Sequence, residues 1–201
     1  MRKLSLILGC ALLLILTGCS EQAQPEKKEP PKPAEPVTGQ TALYRMYQVV
    51  RSWASDAQVL KMTSIHLLEV PSVPGQAGAW EAVFTSASKG RARTYTYSVV
   101  ESPGNLHQGV FAGQQEDLNA QAQPFLIAAV KVDTDVAYKT ALAKAAEYDK
   151  KHPGLTISML LERNKQHPNP AWRIVWGESV GTSGLSVFID ASTGEFLETL
   201  H

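Results

Sequence analysis

Ala79-Trp80-Glu81-Ala82-Val83-Phe84 and Ala171-Trp172-Arg173-Ile174-Val175-Trp176 are the two stretches that decide the fold, and they lie 92 residues apart. Each puts an aromatic, an aliphatic and an aromatic residue at alternate positions: Trp80, Ala82 and Phe84 in one, Trp172, Ile174 and Trp176 in the other. Alternate residues of a strand share a face. Both stretches therefore predict strands with one strongly apolar face, and the triplets read as core.

Working outward, the same shift of 92 places Ile65 on Ile157, Leu68 on Leu160 and Val83 on Val175. It also carries Tyr44 to Val136, Val50 to Leu142 and Ala54 to Ala146. These residues fall in two helical patterns. Leu43, Met46, Tyr47, Val50, Trp53, Ala54 and Ala57 recur at three- and four-residue spacing, which is one face of a helix. A second helix is expected from about Asp135 to Lys151, with Tyr138, Ala141, Leu142, Ala145 and Tyr148 on one side. Asp133 or Asp135 caps its start and Pro153-Gly154 stops it. Strands are predicted at 65–69, 80–85, 95–99, 155–161, 172–176 and 186–189, separated by Pro and Gly clusters. Farther along the shift becomes 90, setting Ser102-Pro103-Gly104 on Ser192-Thr193-Gly194, so the second copy is expected to have a hairpin shorter by two residues. The reading is an internal duplication: an α+β body of two tandem units, 41–124 and 125–201. Each is one helix packed on a three- to four-stranded antiparallel sheet.

The other end of the chain has a different character. Met1, Arg2 and Lys3 are followed by an apolar run from Leu4 to Leu16, then Thr17, Gly18 and Cys19. This is the layout of a secretory signal, and the run is too short to span a bilayer comfortably. Leu16-Thr17-Gly18-Cys19 resembles the bacterial lipoprotein box, which implies removal of residues 1–18, lipidation of Cys19 and attachment to a membrane through the acyl chains. Cys10 leaves with the signal, so no disulfide framework is expected. Cleavage removes Arg2 and Lys3 and no acid, leaving 17 basic against 19 acidic residues. Ser20, rather than Asp, follows Cys19, which favours the outer membrane facing the periplasm if the cell is Gram-negative. Residues 19–40 then form a tether in which Pro25, Pro30, Pro31, Pro33 and Pro36 alternate with Glu and Lys; it is expected to be disordered and extended.

In the whole chain 19 basic residues balance 19 acidic ones, so there is no basic surplus of the kind a nucleic-acid partner calls for. At 44% hydrophobic the chain can build a core, which excludes a wholly disordered protein.

The second unit, from Phe125 to His201, resembles the PepSY domain. The resemblance rests on 130–139 leading into the helix, on Pro170-Ala171-Trp172-Arg173-Ile174-Val175-Trp176, and on Val187-Phe188-Ile189-Asp190-Ala191-Ser192-Thr193-Gly194-Glu195-Phe196. It implies a cystatin-like shape for each unit, the first being a degenerate copy. It also implies that the protein binds or modulates a protein partner of the envelope, an envelope peptidase being one candidate. Asp190 is expected to accept backbone N–H bonds in its turn, and Gly194 to supply a positive φ.

Catalytic signals are thin. Gly177-Glu178-Ser179-Val180-Gly181 matches G-x-S-x-G, with Asp190 and His201 following in hydrolase order. The nucleophile elbow needs a helix after the Ser, whereas here Gly181-Thr182-Ser183-Gly184 predicts a hairpin loop. His66, His107, His152, His167 and His201 form no zinc motif, and Asp133-Thr134-Asp135 is too short for a calcium loop. The expected protein is a lipid-anchored, non-enzymatic envelope protein with no catalytic residue, metal or cofactor, and with an unidentified ligand-binding site. Two other readings stay open: a carrier of an apolar small molecule between sheet and helix, and, disfavoured, a serine hydrolase.

Overall fold

Thr38 begins the folded body. Its side chain accepts a hydrogen bond from the Thr41 backbone N–H at 3.4 Å and caps helix α1, Gly39–Trp53. The chain is seen here as a computed structural model that describes residues 33–104 and 106–201. The signal segment, Cys19 and the tether as far as Lys32 lie outside the described residues. Strand β1, Val37–Thr38, pairs antiparallel with β3, Gln76–Ala77, so ordered structure reaches into the stretch expected to be tether. Trp80 explains the anchoring: its indole N–H donates to the Val37 carbonyl at 3.2 Å.

α1 buries Ala42, Leu43, Met46 and Val50. After it come β2, Gln58–Ile65, β4, Ala79–Ser86, β5, Arg91–Ser98, and β6, Gly109–Asp117. A short 3-10 turn at Ile127–Ala129 leads to helix α2, Thr134–Lys151, whose N-cap is Asp133. Then follow β7, Ile157–Glu162, β8, Ala171–Trp176, β9, Leu185–Asp190, and β10, Phe196–Leu200. The order helix and four long strands thus occurs twice.

Among the described residues the fold is α+β, with two helices and one large antiparallel sheet. The halves do not build separate bodies: residues 33–201 form one compact unit. Eight strands run in the order β10-β9-β8-β7-β2-β4-β5-β6, joined at the centre by β2 against β7, where Met62 faces Leu161. Each helix packs on the strands of its own half, α1 on β4 and β5, α2 on β8 and β9. The face beneath them carries Trp80, Ala82, Phe84, Tyr95, Trp172, Ile174, Trp176 and Val187, all 1% exposed or less. Both aromatic triplets are core. Trp80 and Trp172 meet edge to face with ring centroids 6.5 Å apart, and the Trp172 indole donates to Val132 O at 2.8 Å as Trp80 does to Val37 O. Such a pair adds about 0.5–1.5 kcal/mol to what burial of the rings supplies.

The positional match between halves differs in detail from the sequence shifts. The shift of 92 holds across β4–β5 and β8–β9, since Trp80 faces Tyr97 and Trp172 faces Ile189. The helices correspond at 95, set by their N-caps Thr38 and Asp133. Tyr44, Val50 and Ala54 therefore match Lys139, Ala145 and Asp149, not Val136, Leu142 and Ala146. The first strands correspond at 97, because Ile65 faces Ala79 and Glu162 faces Ala171. Pairing Ile65 with Ile157 and Leu68 with Leu160 fails: Leu68 is 96% exposed in a loop, whereas Leu160 sits in β7 opposite Arg173.

The strand expected at 65–69 in fact lies at Gln58–Ile65. A bulge between Val59 and Lys61 puts an extra residue into β2. It leaves buried Val59 and Met62 three apart, a spacing that imitates a helix. The second half is shorter than the first in the link to the edge strand, where Val110 and Phe196 face Tyr97 and Ile189; the difference amounts to six residues rather than two. Gly104 and Gly194 both keep a positive φ, +83° and +81°.

Candidate functional site

Ser179 lies in an exposed turn between β8 and β9, its hydroxyl 2.9 Å from that of Thr182. No helix follows it. Asp190 closes the far end of β9, five residues from Leu185, or about 17 Å along a strand. Its carboxylate is used locally: Oδ1 accepts from the Ser192 and Thr193 backbone N–H groups at 2.7 and 3.1 Å, and Oδ2 from Asn169 at 3.1 Å. Burial pushes its pKa up, but hydrogen bonds from the Ser192 hydroxyl and the turn outweigh it and hold the group below the usual carboxylate range. His201 is exposed at the chain end. These three residues do not form a triad.

The histidines are scattered. His107 bonds Glu101 at 2.7 Å, His167 bonds Glu198 at 2.7 Å, and His152 caps α2 with its ring against Tyr148. Among the described residues no group of three or more His, Cys, Asp or Glu side chains is placed to hold a metal ion.

His66 is different, and no local motif marks it. It stands just past β2, where the chain leaves the sheet for a loop rich in Pro and Gly. Its Nε2 is 2.9 Å from Ser158 Oγ on β7, and its Nδ1 is 3.1 Å from Ser72 Oγ. The arrangement resembles a Ser–His dyad, but the proton count argues otherwise. Ser158 Oγ also lies 2.8 Å from the Gly177 carbonyl and 2.9 Å from that of Glu178. Both are acceptors, so the one hydroxyl proton is directed at them, and Ser158 accepts from His66 Nε2–H. Nδ1 then accepts from the Ser72 hydroxyl. His66 is a neutral clasp joining the 66–74 loop to β7. Burial pushes its pKa down, against the opposing pull of Glu178.

Beside this clasp is a cleft of about 490 Å³ at the end of the sheet. One wall is the loop with Leu67, Pro71, Val73 and Pro74; the other is Gly154, Leu155, Thr156 and Ile157. Tyr138 and Asp149 of α2 also line it. Asp149 Oδ1 accepts from the Trp176 indole N–H at 2.8 Å; Oδ2 has no partner among the described residues. The Tyr138 ring stacks on Trp176, centroids 6.4 Å apart. Burial, and then the neighbouring Asp149, raises the pKa of the Tyr138 hydroxyl. Val73 and Leu155 stand 45% and 40% exposed at the rim. A volume of this size falls in the range of small-ligand and peptide-side-chain pockets, about 300–1,000 Å³. A smaller concavity of about 270 Å³ lies near Lys61, Glu81, Arg93 and Glu116.

Part of this cleft is visible in the sequence. Pro71 to Gly78 read as a strand breaker and Pro153-Gly154 as a helix stop, and these two punctuation marks supply its walls. That they face one another depends on β2 pairing with β7, which no local pattern states.

Residues 136–200, which span most of α2 and β7 to β10, match the family described as "Peptidase propeptide and YPEB domain", PepSY. No curated protein matches the chain. Among solved structures, that of a "putative lipoprotein" from Clostridium difficile 630 is similar at 10% identity and a TM-score of 0.49, covering 79% of this chain and 91% of that one. No helix among the described residues is long and apolar enough to cross a membrane.

Proposed function

We propose that this protein is a lipid-anchored, non-enzymatic component of the cell envelope that binds a protein partner and modulates it, an envelope peptidase being the leading class. The observation that carries the reading is the PepSY match over 136–200, whose matched segment supplies Tyr138, Asp149 and the 154–157 wall of the cleft. The family's description names peptidase propeptides, which supports a partner of the peptidase class. The hydrogen-bond directions around Ser158 and the open turn at Ser179 support the same side.

In this proposal Cys19 carries the acyl chains, the tether of 19–40, less the residues from Val37 on that join the body, is the reach between membrane and body, and Ser20 favours the outer membrane if the cell is Gram-negative. The body comprises two PepSY-like units, 41–124 and 125–201, with the first degenerate. The shared helix-and-four-strand order and the matching indole bonds to Val37 and Val132 support the duplication. A carrier of apolar molecules would need empty space between sheet and helices. That space holds Trp80, Phe84, Tyr95, Trp172 and Trp176, so this second reading has no observation in its favour.

Two experiments test the proposal. Labelled fatty acid should enter the wild type and not Cys19→Ala; equal labelling would remove the anchor. A photo-cross-linking amino acid at Leu155, in cells, should join the protein to a partner whose peptidase activity changes when purified protein is added. Cross-links equally abundant from exposed Lys165, on the β7–β8 connection, would speak for random encounter.

A further inference from the structure

The cleft is asymmetric in charge. Its lining includes the carboxylate of Asp149, with one oxygen spent on Trp176 and the other uncommitted, and it includes no Lys or Arg. His66, at its edge, has both ring nitrogens engaged, and the charge that acts on it is that of Glu178, also acidic. The walls are aliphatic: Leu67 is buried and Ile157 half-buried, while Pro71, Val73, Pro74 and Leu155 are exposed.

We infer that the cleft receives a lysine or arginine side chain from an extended segment of the partner protein. The inference rests on the partner-binding reading and names the chemistry of its site. A basic side chain is amphipathic, and its methylenes suit the proline and isoleucine walls while its charged head reaches half-buried Asp149. There Asp149 Oδ2 accepts a charge-assisted hydrogen bond. The Tyr138 hydroxyl offers a second acceptor, and its ring edge borders the same space. An anionic ligand finds no counter-charge here. A wholly apolar ligand would bury the free oxygen of Asp149 without a partner, which is costly. The exposed Val73 and Leu155 provide apolar contacts for residues flanking the basic one, which a free amine would leave unused.

The test uses the full mature chain in detergent micelles and three capped pentapeptides, acetyl-Leu-Pro-X-Leu-Ala-amide, with X lysine, norleucine or glutamate. Calorimetry should find the lysine peptide bound at least about tenfold more tightly than the norleucine one, the scale of one charge-assisted hydrogen bond, and the glutamate peptide not bound. Asp149→Asn should abolish the discrimination between lysine and norleucine. An amide oxygen can still accept from Trp176, so thermal stability should be kept. The peptide series does not depend on that variant folding.

Equal binding of lysine and norleucine peptides, or unaltered discrimination in Asp149→Asn, overturns the inference. So does a gain of about tenfold when Lys27 and Lys28 become Gln, since the tether would then be the occupant. Cross-linking from Leu155 is read separately: cross-links without lysine discrimination sink the ligand class and leave the partner reading standing, whereas lysine discrimination without cross-links does the reverse.

Discussion

The first half and the second half place different residues at the same points of one scaffold. Helix α1 stops after 15 residues and α2 continues for 18 from an equivalent cap. At the place where Ala54 closes α1, 5% exposed, the second half still has helix and presents Asp149. Beneath them Phe84 is matched by Trp176, whose indole N–H needs an acceptor and finds that carboxylate. Three extra helical residues and one larger ring thus bring a carboxylate to the lining of the cleft at this end of the sheet. At the helix starts the contrast runs the other way. Gly39 and Thr134 are counterparts, but a Cβ on Gly39 would stand 2.7 Å from both Trp172 Cη2 and Thr134 Cγ2. The two helix starts meet at the Trp80–Trp172 contact, where only one of them has room for a side chain.

The comparison breaks most violently at those rings. Trp80→Ala or Trp172→Ala should each cost about 3–5 kcal/mol in urea unfolding, the usual loss for emptying such a core site. Because the rings touch, the double variant should cost less than the two single losses together. If either single substitution costs under about 1 kcal/mol, the halves do not share a core at this point.

A smaller effect is expected at the crowded helix start. Gly39→Ala should destabilise by about 1–3 kcal/mol through overpacking, although alanine is the better helix former. A gain in stability would show that the close approach of α1 to Trp172 is wrong.

The clasp across the seam gives a pH signature. Burial holds the His66 pKa below its ordinary 6.5, so between those two values the unfolded chain binds more protons than the folded one. Stability should therefore fall as pH drops through about 6.5 and level off once the folded-state pKa is passed. His66→Gln should flatten that part of the profile. An unchanged slope in the variant would remove His66 as its source.

The smallest effect is at Ser179. Ser179→Ala should shift stability by no more than about 0.5 kcal/mol, and a fluorophosphonate should leave the wild type unlabelled at this residue. Labelling there would restore a nucleophile that the turn geometry denies.

Most of the sheet was legible in the sequence where alternation was unbroken. Trp80-Ala82-Phe84 and Trp172-Ile174-Trp176 declared their strands and their face, and Asp190 and Gly194 declared their turn. β2 was misplaced because its bulge changes the apolar period from two to three. β6 went unseen because Gly109–Asp117 is an edge strand with a largely solvated, polar second half, so little burial shapes its composition. The cleft was half legible: its Pro- and Gly-rich walls stood out as breaks between elements, but the role of Asp149 did not. Nothing local distinguishes it from any acid near a helix end; its meaning comes from Trp176, 27 residues on, and from the loop that β2–β7 pairing brings opposite.

That pairing is the central claim: two similar halves share one sheet and one core. Hydrogen exchange of the slowest amides in β4 and β5 against those in β8 and β9, followed across increasing denaturant, tests it most directly. The result expected is convergence of both sets on a single opening free energy, with neither half surviving the loss of the other. Exchange of β4 and β5 through an opening more than about 2 kcal/mol below that of β8 and β9 would contradict it, since the second half would then stand folded on its own.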